Sequence, residues 1–198
     1  MIRYSTAIKF CVVVIILIIL AWHYSAHATQ APNKFIQNSL ALKAFVEDQK
    51  ASGTNAGACN AVSAGTWFQR TLNALTANNT GITLSSNQLS IPAGTWEVDF
   101  NVPGFASLNR FIARIYNVTN SAMLCQSTSA SSDVAVTDYA KIRCRFTLSG
   151  TKTVEIDMNV QTAAANTDCL GRASCLVALT GMCDFERYTQ GTILKISP

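Results

Sequence analysis

Three pairs of carboxylates have a spacing that could do chemistry: Glu97 with Asp99, Glu155 with Asp157, and Asp184 with Glu186. Each pair has i, i+2 spacing, which on a β-strand puts both side chains on one face. Two carboxyls held this way, one with its pKa raised by an apolar setting, can act as the acid and base of a glycosidase. Here they alternate with Trp96, Val98 and Phe100, or with Val154, Ile156 and Met158. That pattern predicts the solvent side of an amphipathic strand. Both histidines, His23 and His27, fall in an N-terminal leader. A chain cleaved after Ala28 has no imidazole for a Ser-His or Cys-His mechanism. The expectation is a protein that is not an enzyme and uses no cofactor.

Cysteine usage points to an oxidising compartment. Loss of the leader removes Cys11 and leaves six: Cys59, Cys125, Cys144, Cys169, Cys175 and Cys183. An even number in an exported chain predicts three disulfides. No pair has C-x-x-C spacing and no histidine lies among them, so no metal site is expected. Cys169 and Cys175 enclose a short segment containing Gly171 and are expected to pair. Cys144 points inward by its alternation and can meet Cys125 from a nearby strand, which leaves Cys59 for Cys183.

The leader itself has the order of a secretory signal. Arg3 and Lys9 precede an apolar run of thirteen residues, Phe10 to Trp22, and Ala26 and Ala28 occupy the small positions of a cleavage site. The run is shorter than the roughly 20 residues that span a bilayer core. Residues 1–28 are therefore expected to be a signal peptide. The alternative is an uncleaved signal anchor through residues 7–24, with Lys9 snorkelling and Trp22 and Tyr24 at the membrane interface. Only in that case is a membrane a partner. The protein is expected to be secreted or at the cell surface, extracellular or periplasmic.

Among the cations, Lys141, Arg143 and Arg145 share one strand face and form a candidate binding ladder for an acidic glycan or another acidic surface. Cross-strand pairing with Glu97, Asp99, Glu155 and Asp157 is the competing use of those charges. The formal net charge of +4 falls to about +2 without the leader, which is too weak and dispersed for nucleic acid. Two N-x-[ST] sequons occur, at Asn78 and Asn117. Asn78 lies in a loop-like stretch and is the candidate glycosylation site, whereas Asn117 ends a strand signal.

Positioning these residues requires an all-β frame. Phe35, Ile36, Leu40, Leu42, Phe45 and Val46 fall at mixed helical spacings, so residues 29–55 are expected to form a short amphipathic neck and a flexible linker. Beyond it the period becomes two. Trp96 to Val102, Ala140 to Leu148 and Val154 to Val160 each alternate apolar with polar residues, with Pro92-Ala-Gly94, Pro103-Gly104 and Ser149-Gly150 as turn signals. Weaker strand signals span Thr66 to Asn73, Phe111 to Val118, Met123 to Ser127, Leu176 to Met182 and Arg187 to Ile196. The expected fold is an antiparallel jelly-roll sandwich of about eight strands over residues 56–198, preceded by the hydrophobic N-terminal helix and the amphipathic segment.

Gly65-Thr-Trp67 with Arg70-Thr-Leu-Asn73, Ser86 to Val98 with its Pro92-Ala-Gly-Thr95 turn, Arg114 to Thr119 and the closing Tyr188 to Ile196 stretch resemble the jelly-roll modules at phage tail-fibre tips. Those modules are similar to the complement globular-head and tumour-necrosis-factor-like domains. The resemblance implies a homotrimer used for recognition or display and brings no catalytic residues. The apolar residues Trp67, Phe68, Phe105, Leu108 and Phe111 around strand ends point the same way, being more than a sandwich of this size is expected to bury. The functional expectation is an exported recognition or adhesion module that binds a glycan or surface protein. The alternative is a structural component of a surface appendage, surface layer or virion.

Overall fold

A computed structural model describes residues 42–58, 63–105, 108–132, 136–162, 168–173 and 185–197. The leader, and the parts of the neck and of the cysteine-rich segment containing Cys59, Cys175 and Cys183, lie outside the described residues. Twelve strands occur among those described: Lys43–Ala51 (β1), Trp67–Gln69 (β2), Ala74–Thr76 (β3), Thr83–Ser85 (β4), Gln88–Ile91 (β5), Gly94–Phe105 (β6), Asn109–Asn117 (β7), Ala122–Gln126 (β8), Ala130–Ser132 (β9), Thr137–Leu148 (β10), Lys152–Val160 (β11) and Phe185–Ser197 (β12). No helix is present among the described residues.

The strands form two antiparallel sheets. One is five-stranded, ordered β10-β6-β12-β1-β3; the other is seven-stranded and runs β4-β5-β11-β7-β8, with β2 also on β11 and β9 also on β7. The strand count exceeds eight because a nine-residue strand can carry two short neighbours along one edge. β11 pairs with β5 through Lys152–Val154 and with β2 through Asp157–Asn159. β7 likewise pairs with β9 through Asn109–Phe111 and with β8 from Arg114 onward. Between β4 and β5, Ser86 and Asn87 have φ of 51° and 64°, as a two-residue hairpin with the favoured twist requires.

The periods of two place the core as the alternation predicts. Trp96, Phe100 and Val102 of β6, Ala140 and Ile142 of β10, and Ile156, Met158 and Val160 of β11 are fully buried between the sheets. The indole N–H of Trp96 donates to the Pro92 carbonyl at 3.0 Å, so this large side chain is buried with its polar atom satisfied. Gly191 of β12 faces Phe100 across the pair, and a methyl at that position would overlap the Phe100 ring. The disulfide Cys125–Cys144 joins β8 of one sheet to β10 of the other, with Cα atoms 6.3 Å apart.

Three expectations are corrected. The neck and linker assigned to residues 29–55 give way, from Lys43 to Ala51, to a strand between β12 and β3, so the sandwich begins well before residue 56. Its period of two is hidden by a register shift between Glu47 and Gln49, which brings two consecutive acids, Glu47 and Asp48, into buried positions. Pairing with β12, at the far end of the chain, decides this strand, and local spacing does not reveal it. Second, Phe105, Leu108 and Phe111 are not surplus surface: they are 5%, 0% and 1% exposed and belong to the chain's own interior. Third, Asp157 keeps the outer face of its strand but is not in solvent there: it is 2% exposed beneath other side chains.

A buried arginine ties strand ends together. Arg70 donates through Nε to Thr189 Oγ1 at 3.1 Å and through Nη2 to the Leu170 carbonyl at 2.7 Å. Burial pulls its pKa down to about 10, opposed by the nearby Asp48 charge, so it stays protonated at neutral pH. Loss of solvation likewise pushes the Asp48 carboxyl up, against the Lys50 ammonium at 3.0 Å.

Candidate functional site

The outer face of the five-stranded sheet follows from its registers. Opposite residues on neighbouring strands share a face, so rows run across the sheet. Arg143 of β10 lies opposite Asp99 of β6, Asp99 opposite Thr192 of β12, and Thr192 opposite Phe45 of β1. One row further on, Arg145, Glu97, Leu194 and Lys43 are aligned; one row back come Lys141, Asn101, Gln190 and Glu47.

The ladder Lys141, Arg143 and Arg145 therefore shares one exposed strand face, but its arginines are engaged. Arg143 donates through Nε to Asp99 Oδ2 at 3.0 Å, and Arg145 donates through Nη2 to Glu97 Oε2 at 2.7 Å. Hydrogen bonding to Asp99 raises the Arg143 pKa above its ordinary value. Lys141, opposite Asn101, has no ion pair or side-chain hydrogen bond among the described residues. The other two carboxylates weighed as partners, Glu155 and Asp157, belong to the opposite sheet. Along this face runs a shallow depression of about 570 Å³, floored by Phe45, Thr192, Gln190 and Leu194 and edged by the Arg143–Asp99 pair. Phe45 and Leu194 are half-buried there. At the adjoining strand ends, joined by the Lys195 N–H to the Leu42 carbonyl at 2.8 Å, Leu42 and Ile196 are 42% and 47% exposed.

On the outer face of the seven-stranded sheet, Arg114 of β7 donates through Nε to Asp157 Oδ2 at 2.8 Å. Its guanidinium carbon lies 4.3 Å from the Trp67 ring centroid and 4.1 Å from that of Tyr116. Glu155 Oε2 accepts from the side-chain amides of Gln69 and Gln88 at 3.0 and 2.8 Å. Loss of solvation raises the Asp157 pKa, with the Glu155 charge adding to it and the Arg114 hydrogen bond opposing it. Both strand-borne acid pairs thus meet cations or amides. Trp67 and Tyr116 are the residues that spacing alone does not single out here, since each reads as an ordinary strand aromatic until β2 and β7 are placed beside β11.

With these surfaces described, the chain can be set beside solved proteins. Its jelly-roll sandwich is similar to the crystal structure of murine APRIL at pH 5.0, 8% identical, with TM-score 0.48, covering 79% of this chain and 99% of that one. It is also similar to the globular domain of zebrafish complement 1qA protein, 12% identical, with TM-score 0.46, covering 78% and 97%. These are the tumour-necrosis-factor and complement globular-head folds that the sequence resembles. No protein-family model and no curated protein matches the chain.

Of the remaining candidates, Asn78 is exposed in the loop after β3, where its Nδ2 donates to the Ile82 carbonyl at 2.6 Å. Asn117 is 3% exposed at the end of β7. Cys169 is disulfide-bonded, while the expected pairings of Cys169 with Cys175 and of Cys59 with Cys183 involve cysteines outside the described residues. Among the described residues no group of His, Cys, Asp and Glu could hold a metal ion.

Proposed function

We propose that this chain is an exported, homotrimeric surface-recognition module that binds a glycan or a surface protein and performs no catalysis. The observation that carries the reading is the outer face of the five-stranded sheet. Phe45 and Leu194 are diagonal neighbours there across β1 and β12, with Leu42 and Ile196 exposed at the adjoining ends. Apolar residues grouped on the outside of a folded unit mark an interface. The ion pairs of Asp99 and Glu97 beside them have the composition of an interface rim. Export is supported by the leader and by the Cys125–Cys144 bond, which needs an oxidising compartment to persist. Trimerisation would present three copies of a weak site together and raise avidity without a tight individual contact.

Light scattering at micromolar concentration on a fragment of residues 42–198, paired with binding to cells and to a glycan array, tests this. A trimeric mass is expected, reduced to a monomer by Phe45→Ser with Leu194→Ser while the circular dichroism stays that of a folded β-protein. A fragment starting at residue 56 lacks β1, uncovers the β12 edge and should aggregate. A monomeric mass for the 42–198 fragment overturns the trimer. A trimer that binds neither cells nor glycans overturns recognition and leaves a structural role in a surface assembly.

A further inference from the structure

Cys169 is fully buried and disulfide-bonded, so its partner is decided by which other cysteine the chain can bring to it. A disulfide holds its two Cα atoms about 4.4–6.8 Å apart, little more than one residue's advance along the backbone. The hydrogen bonds around Cys169 narrow the choice. The Gly57 carbonyl accepts the Leu170 N–H at 3.2 Å, and the Gly171 carbonyl accepts the Ala56 N–H at 2.9 Å. Asn55 Oδ1 accepts the Ala173 N–H at 2.9 Å. Two stretches thus lie side by side in opposite directions, Asn55 beside Ala173, Ala56 beside Gly171 and Gly57 beside Leu170.

Neighbouring antiparallel stretches advance together, residue by residue. The chain that follows Gly57 and Ala58 into Cys59 therefore comes level with Cys169. The side chain agrees with the backbone: Cys169 Sγ lies 4.0 Å from the Gly57 carbonyl oxygen, turned towards the stretch that leads into Cys59. In the other direction the chain departs. Past Gly171 it follows Ala56 and then Asn55, away from Ala58, before it continues to Cys175.

We propose that Cys169 is bonded to Cys59, in place of the Cys169–Cys175 pairing that their closeness in sequence suggests, which leaves Cys175 and Cys183 for each other. The bond forms by exchange with a disulfide donor of the export compartment: the two thiols lose two electrons and two protons, and the donor's disulfide is reduced to thiols. It ties the stretch before β2 to the stretch before β12 at the end of β6, where the Phe105 N–H donates to the Cys169 carbonyl at 2.8 Å. Arg70 on the Leu170 carbonyl and the Tyr188 hydroxyl on the Thr54 carbonyl, at 2.6 Å, hold the same place. The loop it closes runs from β2 through β11, so it restricts the unfolded chain more than a bond between Cys169 and Cys175 could.

The test is tryptic mapping of the full chain after export into an oxidising compartment, with free thiols first blocked by N-ethylmaleimide and no reductant added. Trypsin separates the candidates: Cys59 falls in residues 51–70, Cys169 in 153–172, and Cys175 and Cys183 together in 173–187. The expected map has 51–70 linked to 153–172, and 173–187 closed on itself and lighter by two hydrogens. A link from 153–172 to 173–187 overturns the pairing. Cys59→Ala, labelled in denaturant so that the readout does not depend on folding, should release the Cys169 thiol alone. Label within 173–187 instead also overturns the pairing. The Cys125–Cys144 bond, read as 115–141 linked to 144–145, reports oxidation independently. Where that link is present and 153–172 is bonded elsewhere, only the pairing fails; where every thiol is free, the export reading fails with it.

Discussion

Replacing Cys125 and Cys144 together by Ala isolates the bond that joins the two sheets. The cysteines are 19 residues apart. In the chain-entropy model, closing a loop of that length restricts the unfolded chain by about 3.3 kcal/mol. For a unit of this size each kcal/mol moves the melting temperature by about 2–4 °C, so the variant should melt about 7–13 °C lower. Alanine is preferred to serine because Cys125 is buried and a hydroxyl there would add its own desolvation cost. Reductant is a poorer tool, since Cys169 is also disulfide-bonded and would be attacked too. Circular dichroism melts without reductant provide the temperature. Urea unfolding supplies a second readout: the uncrosslinked unfolded chain exposes more surface, so the slope with denaturant should rise. The native spectrum should be retained, because the Ile142, Phe146, Ile156 and Ile115 side chains pack between the sheets without the bond's help. A loss below about 2 °C with an unchanged slope would refute loop closure as the source of stabilisation. Complete loss of the fold would refute the view that the apolar layer docks the sheets.

Asp157→Asn should reveal a pH dependence of opposite sign to that of an ordinary paired carboxylate. Burial and the Glu155 charge raise the Asp157 pKa in the folded state above its unfolded value of 3.8. Its contribution is therefore fully present below that value and is lost as pH rises through the folded pKa. The wild type should gain melting temperature relative to the non-titrating Asp157→Asn variant as pH falls from neutrality towards that unfolded value, and a constant gap would contradict the assignment. Gly191→Ala should destabilise the sandwich by about 1–3 kcal/mol through overlap with the Phe100 ring, and trimming that ring with Phe100→Leu should recover part of the loss in urea unfolding.

The sequence by itself determines the strands whose period of two is clean. In β6, β10 and β11, Trp96 to Val102, Ala140 to Leu148 and Val154 to Val160 each announce a buried face, because side-chain alternation is a local property of extended backbone. The inward direction of Cys144 follows from the same alternation, whereas its partner, Cys125, is decided by β8 and β10 facing one another from the two sheets. Long-range pairing decides the rest. β1 is a strand because its backbone completes β12 and β3, while its register shift and its two buried acids erase the local signal. Phe105, Leu108 and Phe111 look surplus in a linear chain and become interior only when the sheets close over them. Charge is sorted in the same way. Lys141, Arg143 and Arg145 form one ladder in sequence, but register gives Asp99 and Glu97 to the two arginines. Arg110, which spacing does not single out, faces Ser131 across β7 and β9 with no carboxylate partner among the described residues. Which charges are neutralised is a property of neighbouring strands, so only the tertiary structure could decide it.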